Sequence, residues 1–106
     1  MLRVGGELDL LTADGLRAEL DDELRHGTGN VVIDLRDTDF VDSAGLHILL
    51  NAQRRLTRQS RSLAVICEPG PVRRVFELAK LVETLGVVPS MREYRNRHTR
   101  SSDLTV

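Results

Sequence analysis

The sequence predicts a small α/β domain with a mostly parallel or mixed sheet of about four strands and about four helices. Two observations carry that prediction. Segments rich in β-branched residues alternate along the chain with segments whose apolar residues recur at helical spacing. Two of the strand candidates, "VVIDL" (31–35) and "LAVICE" (63–68), are nearly continuous apolar runs, as expected of strands covered on both faces by helices. A chain of 106 residues is long enough to bury one core without staples.

Taken in order, "MLRVGGEL" reads as a short extended segment, and its Gly5-Gly6 pair weakens the strand or marks a bulge. "TADGLRAELDDELRHG" reads as a helix. Thr12 is its candidate N-cap, Ala13, Leu16, Leu20 and Leu24 form its apolar stripe, and Gly27 is its stop. "VVIDL" is the buried strand, and "RDTDFVD" is expected to be a loop. The second helix should run from Ser43 to about Gln59. After "LAVICE", a third helix opens at "PGPVRRVFELAKL" with proline in its first turn, and Val72, Val75, Phe76 and Ala79 share a face. Val87-Val88 is a last short strand. Ser90 and Glu93 form a capping box that opens a short helix through Tyr94. Residues 1–94 are therefore expected to form the domain. The polar stretch 95–106, "RNRHTRSSDLTV", is expected to be a flexible tail.

Composition excludes several function classes. The formal net charge is −1, unlike the strongly basic balance of a dedicated nucleic-acid binder. Aromatic residues are 3% of the chain, which leaves few rings for stacking on bases or sugars. The single Cys67 precludes an internal disulfide and fits a reducing compartment. No apolar run approaches the roughly 20 residues that span a bilayer. The first residues lack a signal-peptide core. A cytoplasmic protein is expected, with no membrane and no nucleic-acid partner.

Chemistry concentrates in "FVDSAGLHILLNAQRRL" (40–56). Asp42 and Ser43 both suit a helix N-cap, which is worth about 1 kcal/mol. Gly45 in the first turn costs up to about 1 kcal/mol against alanine, so a close backbone approach is expected there. At about 100° per residue, Ile48, Leu49, Ala52 and Leu56 cluster with Gly45 as a core stripe. Leu46 and Leu50 fall more than a quarter turn away from the centre of that stripe, as a second ridge suited to docking. A phosphate on Ser43 would add about −1.5 to −2 charges at a helix N-terminus, where the helix dipole tolerates it.

This sequence resembles the STAS domain family, and within it the bacterial anti-sigma-factor antagonists, over nearly its whole length. "GELDLLTADGLRAEL" resembles the family's opening strand end and first helix. "VVIDLRDTDFVDSAGLHILLNAQRRL" is similar to its signature strand, loop and second helix. "PGPVRRVFELAKL" resembles its third helix and "VVPSMREY" its last. The resemblance implies an antagonist that binds an anti-sigma factor and releases the sigma factor. That partner would also be an ATP-dependent serine kinase of the histidine-kinase-like type. Phosphorylation would fall on Ser43 and be reversed by a metal-dependent serine phosphatase. The implied partner surface is Asp9, Asp42, Ser43, Ala44, Gly45, Leu46 and Leu50. On this reading the protein is a substrate and ligand, not an enzyme, and needs no cofactor or metal. The family has another strand before the one ending in "GELD". Its absence here is expected to leave one sheet edge open.

Rival readings are weaker. "VDSAG" imitates a nucleophile elbow, but Val41 breaks the G-x-S-x-G pattern, and of the downstream histidines His47 points away from the core stripe on the same helix and His98 sits in the tail. Asp34, Asp37, Asp39 and Asp42 suggest a receiver-type Mg²⁺ pocket, yet "RVGGEL" lacks the acidic pair such a pocket needs. His26, His47 and His98 are too scattered for a metal site. No phosphate-cradling glycine loop is present. Arg92, Arg95, Arg97 and Arg100 read as a solvated surface. The second reading within the same fold is a STAS module that is never phosphorylated and serves another complex, such as a lipid-transport ATPase.

Overall fold

The computed structural model describes residues 1–104, with side chains described through Arg97. The chain alternates strictly: β1 (Leu2–Leu8), α1 (Ala13–His26), β2 (Val31–Val41), α2 (Ser43–Arg58), β3 (Leu63–Ile66), α3 (Pro71–Leu78), β4 (Val87–Val88) and α4 (Met91–Leu104). The sheet has the order β1-β2-β3-β4, and every pair is parallel. α1, α2 and α3 are thus the crossovers that return the chain to the next strand, and α4 follows the last one. The expected α/β architecture is the observed one, and among the described residues the sheet holds no antiparallel strand.

One face carries the main core. Leu16, Leu20 and Leu24 of α1 and Ile48, Leu49, Ala52 and Leu56 of α2 pack on Val31, Ile33 and Leu35 of β2 and Val65 of β3, joined by Phe76 of α3. The other face is thinner. There Val32, Ile66 and Val88 meet Met91 and Tyr94 of α4. The split follows from strand alternation, because residues 31, 33 and 35 point one way and 32 and 34 the other. Asp34 lies on the thin face and is only 1% exposed. Its carboxylate accepts Arg36 Nη2–H at 2.8 Å and Nε–H at 3.0 Å, with Arg3 Nε 3.4 Å away. The Arg36 hydrogen bond outweighs burial and lowers the Asp34 pKa from 3.8 to about 2.

Three expectations are corrected. The first concerns "RDTDFV", which is strand and not loop: β2 runs to Val41, and β1 pairs with it as far as Leu8↔Val41. The pairing survives two register shifts, between Arg3 and Gly5 and between Gly6 and Glu7, where Gly6 adopts φ +70. Thr38 Oγ1–H secures it by donating to Val4 O at 2.6 Å.

The second concerns Thr12, which precedes α1 but makes no side-chain cap bond. The last is the extent of α4, which continues past Tyr94 to Leu104. No proline or glycine interrupts residues 91–104, and Glu93 and Arg97 support the helix as an i, i+4 pair at 3.3 Å. Thr105 and Val106, which belong to the expected tail, lie outside the described residues.

Candidate functional site

The carboxyl ends of β1 and β2 deliver two connections side by side: the β1–α1 turn and the junction of β2 with α2. Their proximity is a consequence of the Leu8↔Val41 register. Asp42 ties them together. Its amide donates to Leu8 O at 3.1 Å. Its Oδ1 accepts the Gly45 amide at 3.1 Å, which makes Asp42 the N-cap of α2. Its Oδ2 accepts the Leu10 amide at 3.3 Å. One carboxylate therefore closes a helix end and pins the opposing turn.

The turn is held from within by Asp9. Asp9 Oδ1 accepts the amides of Leu11 at 3.0 Å and Thr12 at 3.1 Å, and Asp9 O accepts the Ala13 amide at 2.8 Å. Thr12 Oγ1–H donates to Glu7 O at 2.6 Å. Burial pushes the Asp9 carboxyl upward, but the Thr12 and Leu11 amides and the Thr12 hydroxyl outweigh it, so its pKa is lowered. Asp9 thus holds the turn that leads into α1, and its backbone carbonyl takes the first helical amide.

Ser43 follows the cap as the first residue of α2. It is exposed, and its hydroxyl makes no hydrogen bond among the described residues. Asp42 supplies the cap, and the serine oxygen is free for other chemistry. Ala44 beside it is half-buried.

Gly45 is different in kind. It is buried, and a Cβ built there would meet Leu8 Cγ and Leu8 O at 2.8 Å. The close backbone approach expected of this glycine is made by the chain's own β1. Leu46 and Leu50 are half-buried and packed against the main core. They form the edge of the interior, less free than a projecting ridge.

The exposed apolar groups at this end are ones the sequence reading passed over. Leu10 and Leu11 lie in the turn, and Phe40, half-exposed, is the register partner of Glu7. The available signal was "DLLT", an apolar pair in a connection too short to bury it. Cys67 sits in the core, where burial raises its thiol pKa and removes it from reactive chemistry. Among the described residues, no helix is long and apolar enough to cross a membrane.

Comparison with known proteins agrees with this fold. Residues 1–89 match the family model described as "Mlab, STAS domain". BtrV of Bordetella bronchiseptica is 36% identical over 86 residues, covering 80% of this chain and 73% of that one. The anti-sigma F factor antagonist of Paenibacillus polymyxa is 27% identical over 88 residues, covering 82% and 75%. Among solved structures, an anti-sigma factor antagonist from Mycobacterium paratuberculosis superposes with a TM-score of 0.80 at 26% identity, covering 90% of this chain and 80% of that one. With its four parallel strands, its interleaved helices and a family match over residues 1–89, this chain belongs to the STAS domain family.

Proposed function

We propose that this protein is an anti-sigma-factor antagonist: it binds an anti-sigma factor through the Ser43 end of the molecule and so releases the sigma factor. Phosphorylation of Ser43 switches it off. The observation that carries the reading is the division of labour between Asp42 and Ser43. The carboxylate caps α2, while the neighbouring exposed hydroxyl has no hydrogen bond to lose among the described residues. A phosphate there sits at a helix N-terminus that favours negative charge, so the fold tolerates it. A partner packed over Ser43, Ala44 and the Leu46 edge would have to desolvate that charge and accommodate its bulk, and binding is lost.

Support also comes from relatives named as the anti-sigma F factor antagonist in Paenibacillus polymyxa and the anti-sigma-B factor antagonist in Staphylococcus aureus, the latter 27% identical over 86 residues. On this reading the partner is an anti-sigma factor that is also an ATP-dependent serine kinase of the histidine-kinase-like type. A metal-dependent phosphatase restores the free serine. The protein itself is non-catalytic and acts in the cytoplasm. Its interaction unit is residues 1–94, and residues 95–106 take no part in it.

The second reading is a STAS module without phosphorylation, serving another complex such as a lipid-transport ATPase. In its favour, the matching family model is described as Mlab and not by antagonism. One experiment separates the two. The tagged chain is recovered from its host, and both the partner and the state of Ser43 are read by mass spectrometry. An anti-sigma factor together with phosphoserine at 43 supports the antagonist. A transport ATPase with unmodified Ser43 selects the second reading.

A further inference from the structure

The β1–α1 turn carries the most exposed leucines of the described residues: Leu11 is 90% exposed and Leu10 75%. Connections facing water are ordinarily polar, and two adjacent bare leucines contribute nothing to the chain's own core. The turn is not loose. The amides of Asp9, Leu10, Leu11, Thr12 and Ala13 all donate to acceptors, at 3.0, 3.3, 3.0, 3.1 and 2.8 Å. The backbone that displays these side chains is fixed before any partner arrives, so little ordering entropy is lost on contact. Aromatic anchors are scarce in this chain, which has no tryptophan and one tyrosine.

The surrounding charges indicate what the partner offers. Glu7 precedes the turn, Asp14 follows it and Asp39 lies on the adjoining strand, all three exposed. Asp14 is bridged to Arg17 at 3.3 Å, whereas no salt bridge closes on Glu7 or Asp39 among the described residues. An apolar knob flanked by Glu7 and Asp39, neither of them closed in a salt bridge among the described residues, calls for an apolar pocket with a basic rim.

We infer that Leu10 and Leu11 anchor the complex by entering an apolar pocket, rimmed by basic residues, on the anti-sigma factor. This rests on the antagonist reading and adds which side chains hold the partners together. Asp42 bonds the Leu10 amide and immediately precedes Ser43, so a phosphate on Ser43 stands near the dry pocket, where charge is least tolerated.

The test is affinity for the purified anti-sigma factor of the same organism, measured by calorimetry with the full chain. Leu10→Ser with Leu11→Ser weakens binding by roughly 30-fold, and Leu11→Ala alone by about fivefold. Leu78→Ser, 71% exposed at the end of α3, changes affinity by less than about twofold. The thermal midpoint stays the same in every variant, because these leucines already face water. Wild-type affinity falls as salt rises from about 0.05 to about 0.3 M, as screening of complementary rims requires. If the wild type binds and the double serine variant binds within about threefold of it, this inference is overturned and the antagonist reading stands. Affinity that rises with salt overturns the basic rim. A wild-type chain that binds no anti-sigma factor overturns both.

Discussion

Ser43 and Asp42 are adjacent polar residues at one helix mouth, and only one of them is structural. The carboxylate holds Gly45 and Leu10, while the hydroxyl stands in water. Ser43→Asp is therefore expected to melt within about 2 °C of the wild type, since an acid in the first helical turn is worth a few tenths of a kcal/mol. It should lose anti-sigma binding by tenfold or more, on the order of 1.4 kcal/mol. Ser43→Ala should bind normally and resist modification. Undiminished binding by Ser43→Asp, measured by calorimetry, would sink the switch. Gly45→Ala tests the joint beneath. The new methyl meets the Leu8 carbonyl oxygen at 2.8 Å, and backbone cannot yield as a side-chain tip does. A net loss of about 1–3 kcal/mol in urea unfolding is expected, despite alanine's better helix propensity.

Asp34 makes the acid limb of stability predictable. Its pKa is about 2 in the folded chain against a reference value of 3.8. A depressed folded value means that the unfolded chain binds the proton more readily. The contribution is complete above the unfolded value, falls as pH drops through 3.8, and is gone below about 2. It amounts to about 2 kcal/mol. Asp34→Asn should be less stable than the wild type at neutral pH, and the gap should close toward the acid end. A gap that stays constant in urea unfolding from neutral pH to the acid end would remove this account.

At the level of elements, α3 depends on one side chain. Phe76 is its only fully buried residue, while Val72 and Val75 are half-buried and Ala79 just beyond it is exposed. Phe76→Ala is expected to cost about 3–5 kcal/mol in urea unfolding and to strip hydrogen-exchange protection from α3. The helix itself was legible in advance, because Pro71 marks its start and the apolar spacing its face. "VVIDL" was legible for a similar local reason: β-branched residues buried on both sides leave little else for it to be. "RDTDFV" was not. Its aspartates read as turn formers, and its strand geometry comes from pairing with β1, some 30 residues earlier and through two bulges. The role of Asp9 was hidden in the same way. A carboxylate that folds back on its own turn is not distinguished, in sequence, from one that faces solvent.

At the level of the whole molecule, the two sheet faces are unequally covered. The thick face is closed by α1, α2 and Phe76, and the thin face rests on Met91 and Tyr94. Truncation after Ser90 should uncover Val32, Ile66 and Val88 and lower the thermal midpoint by about 5 °C or more. Truncation after Arg97 should leave it within about 2 °C. Equal losses in the two truncations, read by calorimetric melting, would mean that more of α4 supports the fold than its first turns. The Ser43 region divides similarly into what was readable and what was not. Gly45 announced a tight contact, but which backbone made it depended on how β1 lies against α2. Leu46 and Leu50 read as a free ridge because a helical wheel shows direction without showing how far the core extends.

β1 is one of the two edge strands of the sheet among the described residues, and it runs for seven residues. Such a margin invites stacking of one molecule on another and, at high concentration, fibres. The glycine pair counters that risk. Its two offsets contort the margin so that no long straight stretch is available to template a neighbour, and Arg3 and Glu7, both exposed, add charges that resist dry contact. The irregularity that blurs this strand in the sequence makes it a poor template for polymerisation.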